Sequence, residues 1–192
     1  MKLKRFASGL VAAVMALAVL GTPLGDILPF VRESVATTAG AESYGDYTYR
    51  LRNDGMFNGT IEIVGYNGSS TELEIIDNIN GNPVTRFADN AFKNCNTLTK
   101  VNIPSTVTNI GNNVFRDCTN LKEVTIPDSV TSVEADVFVG TALLKNQSST
   151  VKYADKWVID SDNVQNVILK DDTRGIAGRA FSGCTKLKSI KI

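Results

Sequence analysis

The chain has 192 residues, room for one domain with additions. Its 20 Lys and Arg balance 20 Asp and Glu, so it carries neither a nucleic-acid footprint nor a polybasic membrane arm. Histidine is absent, which removes the usual general base at neutral pH, the Ser-His-Asp and Cys-His arrangements, and the commonest metal ligand.

Lys2, Lys4 and Arg5 form a basic start. Residues 6–25 then carry no charge and are rich in Ala, Val and Leu. Ala39-Gly40-Ala41 supplies the small-x-small site that a signal peptidase needs, so 1–41 reads as a signal peptide. The alternative is an uncleaved anchor, because an apolar stretch of that length can cross a bilayer. Gly21, Thr22, Pro23 and Gly25 make its second half a poor spanning helix. On either reading the remainder is expected outside the cytoplasm, secreted or at the cell surface.

Residues 42–84 read as an N-terminal β cap. Tyr47, Tyr49 and Leu51 alternate with Thr48, Arg50 and Arg52, the period of a half-buried strand. Asn53-Asp54-Gly55 is a turn signal, Ile61 and Ile63 mark a second strand, and Asn67-Gly68 marks a second turn. Leu73-Glu74-Ile75 has the form of a degenerate first repeat strand. A repeat array needs such an end piece to cover its first apolar face and strand edge. Sugar stacking is the other use for these aromatics.

Two consecutive stretches, 85–107 and 108–130, organise the rest of the chain. Phe87, Phe92, Cys95, Leu98, Val101, Ile103 and Val107 match Ile110, Phe115, Cys118, Leu121, Val124, Ile126 and Val130 at a constant offset of 23 residues. Pro104 matches Pro127 at the same offset. A fixed period of this length marks a solenoid, in which no single turn can bury its own apolar face. The corners, Ala91-Phe92-x-x-Cys95 and Val114-Phe115-x-x-Cys118, read as short helical turns. The strands read as 98–103 and 121–126, with alternate residues inward.

A third turn begins at Val133 and keeps Phe138 and Leu144, with Thr141 in place of the Cys. The pattern then breaks at Asn146-Gln147-Ser148-Ser149 and resumes at Val164-x-x-Val167-x-Leu169. Ile176, Phe181, Cys184, Leu187, Ile190 and Ile192 complete the last turn. Phe138 to Phe181 is 43 residues, an excess of 20 over one period. The excess includes Val151-Lys152-Tyr153 and Trp157-Val158-Ile159, joined at Ala154-Asp155-Lys156, a two-stranded excursion. The sequence stops on a repeat strand. The expectation is an open last turn that belongs to a longer protein or is covered by a partner or by self-association.

The run Leu121-x-x-Val124-x-Ile126-Pro127-x-x-Val130-x-x-Val133, with Phe138 five residues further and Phe115-x-x-Cys118-x-x-Leu121 before it, resembles the leucine-rich repeat of the BspA-like type. That type occurs in bacterial surface and secreted proteins. The commoner leucine-rich repeat carries an Asn or Cys shortly after the strand, where Pro-x-x-Val stands here. The resemblance covers 47–192. It implies an α/β-type leucine-rich-repeat solenoid, strand-rich with short helical or 3-10 corners, preceded by a small β N-terminal cap. The solenoid itself is expected over 85–192, about four turns, with an inserted hairpin near 145–163.

Candidate sites are few. Cys95, Cys118 and Cys184 share one repeat position, so they are expected as buried free thiols. A Cys95–Cys118 disulfide between neighbouring turns is the alternative. Asp160-Ser161-Asp162-Asn163 opens like a calcium loop, but Val164 and Gln165 stand where a ligand and the glycine belong, so a polar turn is expected. Trp157, the only tryptophan, is a candidate contact pinning the insertion to the solenoid; a sugar-stacking or hot-spot role is its alternative. The outward strand positions give a candidate partner-binding face: Lys100, Asn102, Lys122, Glu123, Thr125, Asn166 and Lys188. No cofactor or metal is expected.

These readings describe a non-catalytic extracellular module for protein–protein interaction or adhesion at a bacterial cell surface. Its partner would be a protein on the bacterial or host surface. The alternative is a carbohydrate-associated module of a secreted polysaccharide-degrading assembly, with a glycan as ligand. An enzyme working by carboxylate chemistry is disfavoured, since no paired-acid motif accompanies the missing His.

Overall fold

A computed structural model describes residues 40–53, 55 and 58–192. The leader segment 1–41 lies outside the described residues except for Gly40 and Ala41, as does Asp54 of the first turn signal.

β1 (Glu42–Tyr44), β2 (Tyr47–Arg52) and β3 (Thr60–Tyr66) make an antiparallel meander. The alternation of β2 does what its period requires: Tyr47 and Tyr49 are buried, with Thr48 and Arg50 on the other face. β4 (Glu72–Glu74) and β5 (Asn78–Ile79) come next, and β6 (Asn82–Phe87) pairs with β3 in parallel. At β3, therefore, hairpin pairing gives way to parallel stacking, as a solenoid requires.

Each turn then contributes two short strands. β7 (Lys100–Asn102), β8 (Asn109–Ile110), β9 (Glu123–Thr125) and β10 (Ser132–Val133) build two parallel ladders. One runs β3-β6-β8-β10, with Phe87, Ile110 and Val133 in register; the other runs β4-β7-β9, with Leu73, Val101 and Val124 in register. The regular strands are shorter than the apolar alternation that predicts them. Pro104 and Pro127, which cannot donate to a ladder, lie just beyond the strand ends.

The corners are sets of turns rather than a continuous helix. Ala91, Lys93, Cys95 and Leu98 each donate their N–H to the carbonyl three residues back. Left-handed residues interrupt them: Asn90 (φ 65°) and Asn94 (64°), Asn113 (56°) and Asp117 (60°), Asp136 (62°) and Gly140 (84°), Arg179 (63°) and Gly183 (79°). Asn and Asp tolerate this region better than other non-glycine residues, which is why the corner recurs with the period. Inside the corners the rings of Phe92, Phe115 and Phe138, preceded by Tyr66 at the end of β3, form a file with centroids 5.5, 5.3 and 5.8 Å apart. Phe92 and Phe115 have no exposed surface, and Phe138 is 2% exposed.

Polar side chains tie the turns outside this file. Asn112 donates from its backbone N–H to Asp89 at 2.8 Å, and its amide oxygen accepts from Ala135 N at 3.2 Å. Asn96 accepts from Thr119 N at 3.1 Å, one period on. Asn163 accepts from Lys186 N at 2.8 Å in the last turns.

After β10 the period is interrupted. α1 (Ala142–Lys145) stands just before 146–148, where the period would place a strand and none forms; it is capped by Thr141, whose hydroxyl accepts from Leu144 N at 3.2 Å. β11 (Val151–Ala154) and β12 (Trp157–Ser161) form the inserted antiparallel hairpin. β13 (Asn166–Ile168), β14 (Gly175–Ile176) and β15 (Ser189–Lys191) complete the chain, and β12 pairs in parallel with β14. Asp155 at the hairpin tip accepts from Ile126 N at 2.9 Å, beside β9. The insertion thus supplies a turn of its own. The whole has about six turns, counting the one begun by β3.

Candidate interaction face

Alternate residues of the short strands point away from the core, and the parallel register lines them into rows. In β4-β7-β9 one row is Glu72, Lys100 and Glu123; the next is Glu74, Asn102 and Thr125. Lys100 Nζ lies 2.8 Å from Glu123 Oε1. The hydrogen bond to Glu123 holds the Lys100 ammonium above its ordinary range, with Glu72 and Glu74 adding to it. Asn102 donates to the Glu74 carboxylate. The inward residue between the rows, Val101, is fully buried.

A second block lies on β13-β15. Asn166 faces Ser189, whose hydroxyl donates to the Asn166 side chain at 2.8 Å, and Ile168 faces Lys191. Ile168 is 77% exposed. α1 and the hairpin separate the two blocks, so the face is discontinuous where the spacing of the repeats alone suggests one sheet.

Lys100, Asn102, Glu123 and Thr125 therefore share the first block, and Asn166 lies in the second. Lys122 and Lys188 are exposed at equivalent positions just before β9 and β15, their N–H groups bonded to Thr99 O and Gln165 O. Glu72 and Glu74 belong to the first block although the repeat period alone does not place them there. The alternation Glu72-Leu73-Glu74 held that signal. Trp157 is elsewhere: it is 6% exposed, within the main core, and its indole covers Gly175 so closely that a Cβ there would overlap the ring.

The remaining candidates are structural in geometry. Cys95, Cys118 and Cys184 are free, Cys118 fully buried and the other two half-buried. Cys118 donates to Phe92 O at 3.0 Å, and Cys184 to Ser161 O at 3.4 Å, each toward the turn before. Its contact with Cys95 and its burial push the Cys118 thiol well up, so it stays protonated. Asp160 and Asp162 both hold Lys152, at 2.8 and 3.0 Å, and Asn163 serves the ladder. The acidic run is a polar turn clasping a lysine. Among the described residues no three His, Cys, Asp or Glu side chains gather in a metal-ligand cluster.

Parallel short strands, a file of aromatic corner residues and an outward polar ladder define a leucine-rich-repeat solenoid. Residues 85–192, more than half of the chain, match the BspA type leucine rich repeat region in six copies, and the chain belongs to that family. No curated protein matches the sequence. Among solved structures, a leucine rich repeat protein of T. pallidum is 23% identical, with a TM-score of 0.54 over 80% of this chain and 72% of its own. A leucine rich cell surface protein of Faecalibacterium prausnitzii A2-165 is 26% identical, with a TM-score of 0.50 over 81% of this chain and 43% of its own. A leucine-rich repeat protein of Bacteroides ovatus ATCC 8483 is 23% identical, with a TM-score of 0.51 over 79% of this chain and 41% of its own. The chain thus spans less than half the length of the last two. Among the described residues no helix is long and apolar enough to cross a membrane.

Proposed function

We propose that the chain is a non-catalytic extracellular module that binds another protein at a bacterial cell surface through its outward ladders. The observation that carries this reading is the make-up of the rows. Glu72, Lys100 and Glu123 alternate in sign across three turns, Asn102 and Thr125 extend that polar surface, Asn166 gives the separate second block a polar position, and no aromatic ring stands among them. Such a surface sets register and encounter rate with a partner of complementary charge. A sugar-binding surface is ordinarily built on an exposed aromatic plate, and the chain's one Trp is buried. The basic, then apolar, start of the sequence and the cell-surface relative of F. prausnitzii support an extracellular setting.

The test replaces Lys100, Glu123 and Asn166 together with Ala and measures binding of the chain to intact cells of the producing bacterium. These side chains are outside the core, so the melting transition should be unchanged. Binding should weaken at least about tenfold, the equivalent of ~1.4 kcal/mol. Unchanged affinity would overturn the assignment of the face.

A further inference from the structure

The insertion opens a wedge in the stack. In earlier turns every second corner amide is used. Asn90, Phe92 and Asn94 donate to the carbonyls of Asn112, Val114 and Arg116, at 2.9, 3.0 and 3.0 Å. Asn113, Phe115 and Asp117 donate to Ala135, Val137 and Val139, at 3.0, 3.0 and 2.8 Å. The next corner has the same left-handed residues, Asp136 and Gly140, so the N–H groups of Asp136, Phe138 and Gly140 project the same way. Among the described residues none of these three finds an acceptor. In the continuing register their acceptors would be the carbonyls of Gly178, Ala180 and Ser182, which accept nothing either.

The cause is β12. The turns stay in contact where Gly178 N donates to Val133 O at 2.9 Å; beyond it no corner-to-corner backbone bond forms, and Ile159 of β12 lies among the residues between them. A cleft of about 100 Å³ remains, with Phe138, Leu144, Ile159 and Ala177 in its lining. Arg179 and Asp136, one from each corner, also line it and meet there at 3.2 Å, an exposed ion pair that an incoming segment would displace.

We propose that this cleft is a second docking site, which takes an extended peptide segment of a partner protein between the corners. The donors of one corner and the acceptors of the other repeat every second residue, and an extended backbone offers the complementary groups at that spacing. An anion would use the donors alone and would meet the Asp136 and Asp160 carboxylates. The apolar lining has room for one aliphatic side chain, which anchors the segment. This inference rests on the reading of the chain as a protein-interaction module, but not on the sheet face.

Hydrogen exchange measured residue by residue on the full chain tests it. Without ligand, the amides of Asp136, Phe138 and Gly140 should exchange at least about 100-fold faster than those of Asn113, Phe115 and Asp117, which are paired in the stack. Peptides selected on the chain from a random nonapeptide library should slow the three amides about tenfold or more. Ile159→Trp, which fills the cleft, should remove that protection, and Leu144→Phe provides the same test with a smaller change. Lys100→Ala on the sheet face should leave it intact, so failure here is distinguishable from failure of the face. Slow exchange of the three amides in the free chain would overturn the proposal. So would selected peptides that leave them unprotected, or protection that survives in the folded filled variants.

Discussion

The ring of Phe115 lies 5.3 Å from that of Phe92, one repeat earlier, with an angle of 30° between their planes. The same side chain lies 5.8 Å from Phe138, one repeat later, at 17°. Phe115 is thus packed on both faces by its own counterparts and is fully buried. Phe181 holds the matching sequence position but is half-buried in the smaller second cluster, outside the file. Phe115→Ala should therefore cost ~3–5 kcal/mol, the usual range for emptying a core aromatic site, and Phe181→Ala clearly less. Denaturant unfolding of both variants measures this. Equal losses would contradict the file.

That file was legible because a constant offset of 23 residues links Phe92, Phe115 and Phe138. The burial of Val101, Val124 and Val167 came from the same repeat pattern. The corners were legible in position but not in form. Asn90, Asn113 and Asp136, with Asn94 and Asp117, carried the signal for left-handed backbone, spaced by the same period as the Phe residues. The pairing of β12 with β14 was not legible. It joins Trp157 to Gly175 across an irregular stretch, and period alone cannot say which strand adopts an insertion. The break in the polar face between Thr125 and Asn166, where α1 and the hairpin intervene, was not legible either.

At Gly175 the insertion packs tightly on the solenoid. A Cβ there would overlap the Trp157 ring, which is held between the hairpin and the main core. Gly175→Ala should destabilise by ~1–3 kcal/mol, the cost of overpacking a filled site. It should also shift the emission of the single Trp. A variant with parental stability and unshifted emission would mean that the indole moves freely.

Burial pushes the Tyr47 hydroxyl up to about 12, from an ordinary value of 10.0. The folded state thus resists the phenolate more than the unfolded chain does. Its contribution is complete below pH ~10 and is lost as pH climbs from there toward ~12. Urea midpoints across this alkaline range should fall in the parent and fall less steeply in Tyr47→Phe. Identical slopes would show that Tyr47 titrates as an exposed phenol.

The three thiols should separate by reactivity in the native protein. Cys95 and Cys184 are half-buried and should react first with a thiol reagent. Cys118 has no exposed surface and a thiol pushed well above its usual range, and only a thiolate attacks. Its labelling should wait for global unfolding and should track the unfolding rate in denaturant. Labelling of Cys118 at the rate of the other two would mean that the corner opens without unfolding.

The claim that the ladders recognise a protein is tested most directly by changing the target instead of the chain. Binding of the full chain to intact cells of the producing bacterium is measured before and after two treatments, protease on surface proteins and periodate on surface glycans. The account predicts that protease abolishes binding and that periodate leaves the affinity unchanged. Binding that survives protease and disappears after periodate would contradict it.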